Sequence, residues 1–141
     1  MSEPDVETEE IARRLHRAGH RIDPVLEELF PRGENEHLHE PFWHHMEGGG
    51  KRLRPALCLL SCEALGGNPD RALHFAAAVE ILHNMFLVHD DIEDGDSMRR
   101  DQEAVWVKYG TGNGINVGDY MLGRAYRSVL NTPADEATRL R

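Results

Sequence analysis

Acidic side chains crowd the end of one predicted helix. The segment from Val79 to Arg100 reads VEILHNMFLVHDDIEDGDSMRR, and its apolar run ends in Asp90, Asp91 and Asp94 before an arginine pair. Carboxylates one helical turn apart repel each other, so they favour a compensating cation. Mg²⁺ prefers oxygen ligands and is typically held by one or two carboxylates plus substrate phosphates. The spacing therefore indicates part of a Mg²⁺–diphosphate site; a solvated acidic helix end is the alternative.

Two further side chains share a face with these aspartates. At about 100° per residue, His83, Asp90 and Asp94 fall on one stripe of the helix, and Phe86 lies one turn before Asp90. An arginine pair just past Gly95 adds donors that suit phosphate oxygens. A lone histidine in an apolar helix is commonly a buried core residue, and we expect His83 to be buried. Its position on the stripe nevertheless favours a place at the site.

A glycine-rich basic segment precedes another predicted helix. Residues 48–55 read GGGKRLRP, so glycines that permit close backbone approach are followed by Lys51, Arg52 and Arg54. Pro55 is tolerated in a first helical turn, where free N–H groups and the positive end of the helix dipole attract anions. We predict an anion site here, with a flexible basic loop as the alternative. The order GxxxxGK[ST] of a nucleotide P-loop is missing.

Helices are predicted to position both segments. The pattern from Val6 to Phe30 favours two short helices or one bent helix, broken at Gly19 and Pro24. Apolar residues then predict a helix from the GGGKRLRP segment to Gly66, a central helix from about Arg71 to Asp94, and a last helix from Asp119 to Leu130. We expect a histidine-rich loop over 31–41, without a metal cluster, and a helix–helix turn at GTGNG, residues 110–114.

Composition limits the class of protein. The 141 residues suffice for one domain, and a net charge of −9 with a pI near 5.4 argues against nucleic acid and anionic membrane surfaces as partners. No uninterrupted apolar run reaches the ~20 residues of a membrane span, and the N-terminus is acidic where a signal peptide is basic. We therefore expect no transmembrane segment and a cytoplasmic location.

Three motifs together resemble one family. GGGKRLRP at 48–55, EILH at 80–83 and HDDIEDGDSMRR at 89–100 closely resemble, in order and spacing, the N-terminal half of the trans-isoprenyl diphosphate synthases, the polyprenyl synthetase family. VGDYMLGRAY at 117–126 is similar to that family's next helix. The resemblance covers roughly residues 25–141. It implies an all-α fold, a partial isoprenoid-synthase helical bundle, with residues 1–141 as its single N-terminal portion.

The resemblance also implies a Mg²⁺-dependent prenyltransferase that condenses isopentenyl diphosphate with an allylic prenyl diphosphate. It places the isopentenyl diphosphate on Lys51, Arg54, His83 and Arg100. It places Mg²⁺ and the allylic diphosphate on Asp90 and Asp94, with Asp91 as a supporting carboxylate at the metal and Arg99 as the allylic phosphate partner. Asp90, Asp94 and Arg99 are thus the catalytic candidates. Phe86 lies where a growing chain would descend, so we hypothesise that it limits product length; an ordinary core phenylalanine is the alternative.

The sequence departs from the family in extent. Family members are about twice as long, and their second aspartate-rich motif and a lysine have no match here. We therefore expect a fragment, or a natural half of a homo- or hetero-oligomer whose other chain supplies that motif, with little turnover alone. The alternatives are a non-catalytic regulatory subunit that binds a synthase, and an acidic helical interaction module. Asp101 also stands where the family usually has glycine.

Overall fold

Seven α-helices and one short β-hairpin make up residues 6–134, the part of the chain that this computed structural model describes. The helices are α1 (Val6–Gly19), α2 (Asp23–Leu29), α3 (His39–Glu47), α4 (Leu53–Ala64), α5 (Leu73–Asp94), α6 (Val105–Tyr109) and α7 (Thr111–Asn131), the 3₁₀ turns are His20–Ile22 and Pro69–Ala72, and the strands are β1 (Met98–Arg99) and β2 (Gln102–Glu103). The predicted all-α class is confirmed. The predicted domain, residues 1–141, extends beyond the described residues at both ends.

Helix α5 organises the bundle. α7 packs along one side of it, α4 packs along another, and α1 covers α4. Ile81 and Val88 of α5 are buried in one continuous core with Val117 of α7. A helix that is apolar around most of its circumference needs neighbours on several sides. The predicted central helix is thus confirmed, except that its first residues form the 3₁₀ turn.

The segment that contains the central helix has a high mean hydropathy, although polar residues interrupt its apolar run. Pro69–Asp94 is long and apolar enough, by length and composition alone, to cross a membrane. In this fold, however, 44% of its apolar window is buried, and central helices of water-soluble bundles have the same composition. The absence of a membrane span therefore stays a prediction.

The predicted break between the first two helices is confirmed. α1 ends at Gly19, and Pro24 lies in the first turn of α2, where its missing N–H costs nothing. Gly19 has a second use, because an ideal Cβ there would lie 2.5 Å from the carbonyl oxygen of Arg52. The glycine lets the end of α1 press against the start of α4.

The prediction of a turn at residues 110–114 was wrong. Only Gly110, with φ of 88°, breaks the chain, and α7 begins at Thr111 rather than Asp119. Gly114 lies inside the helix, where an ideal Cβ would be 3.0 Å from Cδ1 of Ile92. Gly114 thus allows α7 and α5 to approach closely.

The histidine-rich segment is also more ordered than predicted. The loop ends at Leu38, because α3 begins at His39 and carries His44 and His45 as well. Asn35 supports this start by accepting hydrogen bonds at 3.1 Å from the backbone N–H groups of His37 and Leu38. The helix forms because it buries an apolar face that includes Phe42, Trp43 and Met46.

A hairpin follows α5 that the sequence did not predict. Met98 pairs with Glu103 and Arg99 with Gln102 in antiparallel register. Arg100 and Asp101 between them have φ of 52° and 64°, as a two-residue turn of this hand requires. Aspartate tolerates that conformation better than most residues, which explains how Asp101 can replace glycine. Each strand has only two residues, which is too short for an alternation of apolar and polar side chains to predict it.

Candidate functional site

Arg100 closes over the glycine-rich loop. Its Nη1 donates a hydrogen bond to the carbonyl oxygen of Gly49, and an ideal Cβ on Gly50 would lie 3.1 Å from the same nitrogen. Both glycines have positive φ, 100° and 149°, where a side chain would be strained. The sequence predicted that the glycines let a ligand approach the backbone; in this structure the guanidinium group of Arg100 occupies that position. The hairpin thereby brings a cation to the start of α4.

His83 lies among the cations predicted to act with it. It is partly exposed rather than buried. Burial lowers its pKa, the charge of Arg54 lowers it further, Glu80 opposes both, and Arg100 and Arg99 add smaller effects in the lowering direction. Arg54, Arg100 and Arg99 are thus near enough to His83 for their charges to act on its pKa. A histidine with a lowered pKa is neutral near pH 7 and donates a single N–H.

The two predicted cations of the GGGKRLRP segment face solvent. Lys51 and Arg54 are exposed, Lys51 directly after Gly50 and Arg54 in the first turn of α4. Burial lowers the pKa of Arg100, while the negative charge of Glu80 raises it, and a guanidinium remains charged throughout the physiological range. The four residues predicted for one diphosphate therefore belong to the loop, α4, α5 and the hairpin.

Asp91 and Arg99 form a partly buried ion pair. Asp91 is 1% exposed, and Nε of Arg99 donates to its two carboxylate oxygens at 2.7 and 2.8 Å, with Nη2 also in contact. This hydrogen bonding raises the pKa of Arg99, burial opposes it, and the charges of Asp91, Asp96 and Asp90 raise it further. Asp91 thus acts as the counter-charge of Arg99. Direct ligation of a metal by Asp91 would require this pair to open.

Asp90 and Asp94 remain exposed at the C-terminal end of α5, one turn apart. Their carboxylates, and the negative end of the helix dipole beside them, attract a hard cation. Within residues 6–134, no group of three or more His, Cys, Asp or Glu side chains is close enough to hold a metal. The donor set fits Mg²⁺ held by two carboxylates with waters and phosphate oxygens as its other ligands, not a preformed protein cage.

Arg99 joins the two halves of the site. The charge of Asp90 raises the pKa of Arg99, and the charge of Arg99 in turn lowers the pKa of His83. The hairpin also contacts both segments directly, because Arg99 donates to Asp91 at the end of α5 and Arg100 donates to the carbonyl oxygen of Gly49.

A buried polar network lies beneath the cations, and sequence reasoning missed it. Arg52 Nη1 donates to Glu80 Oε1 at 3.3 Å, and Asn84 Nδ2 donates to the same oxygen at 3.0 Å. His45 Nε2 lies 3.0 Å from Asn84 Oδ1. Burial lowers the pKa of His45 to about 4, only partly opposed by that hydrogen bond. The available signal was a pair of polar residues one turn apart, Glu80 and Asn84, inside an apolar helix.

An apolar surface continues from the carboxylates along α5. Phe86, one turn before Asp90, is 54% exposed, so it is not an ordinary core phenylalanine in this structure. Leu82 and Phe75 follow on the same side, and with Tyr126 of α7 they border a groove of about 230 Å³. A hydrocarbon attached to a group at Asp90 would meet this surface.

Comparison with known proteins identifies a family over most of the chain. The family model described as polyprenyl synthetase matches residues 35–140. The geranylgeranyl diphosphate synthase of Methanosarcina mazei is 39% identical over 125 residues, which are 89% of this chain and 38% of that protein. The large subunit 2 of a heterodimeric geranylgeranyl pyrophosphate synthase of Arabidopsis thaliana is 39% identical over 107 residues, 74% of this chain and 28% of that protein.

A solved structure shows the same architecture. The geranylgeranyl pyrophosphate synthetase of Pyrococcus horikoshii has a TM-score of 0.90 at 36% identity, covering 96% of this chain and 41% of that one. The chain spans about two fifths of the length of such relatives and matches their N-terminal part.

Proposed function

Because the chain belongs to the polyprenyl synthetase family, we propose that it carries the two substrate sites of a prenyltransferase that joins isopentenyl diphosphate to an allylic diphosphate. One observation carries the proposal: the hairpin joins the glycine-rich basic loop to the carboxylate end of α5. Arg100 donates to the carbonyl oxygen of Gly49, and Arg99 donates to Asp91. Two diphosphates with different fates need such different sites. One must be held intact, and the other must leave.

The reaction breaks the C1–O bond of the allylic diphosphate, and the bonding electrons depart with the diphosphate. The double bond of isopentenyl diphosphate then forms a carbon–carbon bond to C1, and loss of a proton restores a double bond. The products are inorganic diphosphate and a prenyl diphosphate five carbons longer. Lys51, Arg54, His83 and Arg100 hold the isopentenyl diphosphate through charge and neutral N–H donation.

Asp90 and Asp94 would hold Mg²⁺, which when bound neutralises the departing diphosphate. Arg99 contributes positive charge between the two sites and is kept in place by Asp91. Phe86, exposed one turn before Asp90, would meet the growing tail and limit its length. We also propose a cytoplasmic location, in keeping with charged, water-soluble substrates.

We further propose that the chain works with additional helices, from a longer protein or from a partner chain of a homo- or hetero-oligomer. The apolar groove between α5 and α7 and the share of the relatives that the chain spans support this proposal. One relative is named as a subunit of a heterodimer. The regulatory-subunit alternative is less favoured, because a regulatory role does not require both the cation cluster and the carboxylate pair.

Binding measurements on the chain separate the two sites. We expect Arg54→Met to weaken isopentenyl diphosphate about 10-fold or more without affecting Mg²⁺-dependent binding of a non-hydrolysable allylic diphosphate analogue, because each lost charged hydrogen bond is worth about 1.5–3 kcal/mol. Asp90→Asn with Asp94→Asn should have the opposite pattern. Glu93→Gln, also exposed on α5, is the matched control and should change neither.

Turnover tests the need for further helices. With Mg²⁺ and both substrates, the chain alone should form little or no product, and the C-terminal portion of a relative such as the Pyrococcus horikoshii enzyme should restore it. Robust activity of the chain alone would refute the need for added helices. Equal binding of both diphosphates by all variants would refute the assignment of the sites.

A further inference from the structure

Glu80 is the buried carboxylate behind the cation cluster, and we propose that it is a positioning residue: it holds Arg52 inward and so sets where Lys51 and Arg54 present their charges to a diphosphate. This inference rests on the proposed function of the cation cluster. Glu80 is 4% exposed and contacts Arg52, through which we expect it to act.

The contacts of Arg52 show how one buried acid can orient its neighbours. Three cations occur within four residues, yet only Arg52 is buried, with Nη1 3.3 Å from Glu80 Oε1, while Lys51 and Arg54 are exposed. A buried guanidinium needs such a counter-charge. Glu80 is the nearer of two carboxylates, since Asp23 Oδ1 lies 3.9 Å from Nε of Arg52.

The backbone of Arg52 depends on this anchor. It has φ of 46° and ψ of 35°, a left-handed conformation that is costly for a residue with a side chain, immediately before the first turn of α4. Its carbonyl oxygen is pressed against Gly19, where an ideal Cβ would lie only 2.5 Å away. This left-handed residue separates Lys51, in the loop, from Arg54, in the first turn of α4.

Glu80 is itself rigidly held. Asn84 Nδ2 donates to Glu80 Oε1 at 3.0 Å and to the backbone oxygen of Glu80 at 2.8 Å. Both partners of that amide nitrogen are acceptors, so its orientation is determined, and Asn84 Oδ1 must accept from Nε2–H of His45. The charge of Glu80 also favours the charged form of Arg100 against its burial.

Electrostatics alone would make Glu80 harmful. A negative charge behind an anion site weakens binding unless its geometric effect is larger. The sign of the change in affinity on removing the charge therefore distinguishes positioning from a mere background charge. Glu80→Gln keeps the shape but not the charge, and Glu80→Asp keeps the charge but shortens the reach.

The test uses inorganic pyrophosphate, without divalent metal, titrated into the 141-residue chain and followed by NMR. We expect Glu80→Gln and Glu80→Asp each to weaken binding about 10-fold, the loss of one charged contact. The ionic-strength dependence of Kd should also become shallower, because fewer cations engage; a loss of stability alone would not change it below the melting temperature. Glu93→Gln should leave both quantities unchanged.

Tighter or unchanged binding by Glu80→Gln would overturn the inference while leaving the proposed function intact. If wild type itself fails to bind pyrophosphate, the cation site and the inference both fall. Should Glu80→Gln not fold, the pair Arg52→Met with Glu80→Met replaces both charges by apolar groups. Wild-type affinity in that folded variant would refute positioning by Glu80, and weakened binding would support it.

Discussion

Asp91 is buried against Arg99, whose side chain stays 25% exposed, while the neighbouring Asp90 and Asp94 are exposed. Helical periodicity already puts Asp90 and Asp94 on one stripe without Asp91. In the fold, only Asp91 points toward the hairpin, because 100° of rotation separates adjacent residues of a helix. Asp90 and Asp91 therefore differ in role because they are adjacent residues that face different sides of α5.

His45 should make stability depend on pH. Its pKa is about 4 in the folded protein and near 6.5 when unfolded, so protons bind preferentially to the unfolded chain between these values. The contribution of His45 to the free energy of unfolding is nearly constant above pH 6.5 and falls as the pH drops toward 4. The expected decrease between pH 7.5 and 4.5 is about 2–3 kcal/mol. Urea unfolding of wild type and His45→Gln at both pH values measures this.

Other groups titrate over the same range, so the difference between the two proteins is the relevant quantity. Glutamine preserves a donor to Asn84 but does not titrate. If wild type and His45→Gln lose stability in parallel on acidification, His45 is not the responsible group.

Phe86 should influence product length in an active assembly of this chain with the missing helices. Phe86→Ala removes the large exposed side chain one turn before Asp90, so we expect a shift toward longer products, read by mass spectrometry. Phe75→Ala removes the same side chain about 16 Å further along α5 and should matter only for longer chains. An unchanged product distribution for Phe86→Ala would remove Phe86 from this role.

At the scale of elements, the glycines of α7 let it approach α5. An ideal Cβ on Gly118 would lie 2.0 Å from Nε2 of His89, which donates to the carbonyl oxygen of Ile115 at 3.3 Å. His89 precedes Asp90, so this contact fixes the rotation of α5 and the direction of its carboxylates. The glycines of α7 therefore serve helix packing. Glycine clusters are also typical of turns, and this explains the wrong prediction for residues 110–114.

Two glycine-to-alanine changes on α7 should have opposite effects. Gly118→Ala should destabilise the fold by about 1–3 kcal/mol, because the added methyl group displaces His89 or α7. Gly123→Ala has nothing within 4 Å of the new Cβ and should stabilise by about 0.4–1 kcal/mol through helix propensity. Thermal unfolding compares them. Similar shifts for both variants would contradict the tight packing at His89.

At the scale of the whole molecule, the bundle is open along one side. Large apolar side chains of α5 and α7 are exposed together around the groove, with Tyr126 at 68% exposure. Contiguous apolar patches of this kind mark interaction surfaces. Within the described residues, the central helix therefore has fewer neighbours than its apolar composition favours.

Polar substitution in the groove should reduce its affinity for apolar dyes. We expect Leu82→Ser with Tyr126→Ser to lower ANS fluorescence markedly, at little cost in stability because both side chains are exposed. Leu65→Ser, at the most exposed leucine of the described residues, is the control for an isolated surface residue. An equal decrease in the control would show that the groove is not the binding surface.

The sequence by itself determined the helical class, the break at Gly19 and Pro24, and the two chemical segments, because helical periodicity and side-chain chemistry are local properties. It could not determine that Arg52 turns inward to Glu80, that a hairpin lays Arg100 on Gly49, or that His89 fits against Gly118. Those outcomes join residues far apart in the chain. Only the tertiary structure decides them, since burial and counter-charge depend on which surfaces meet.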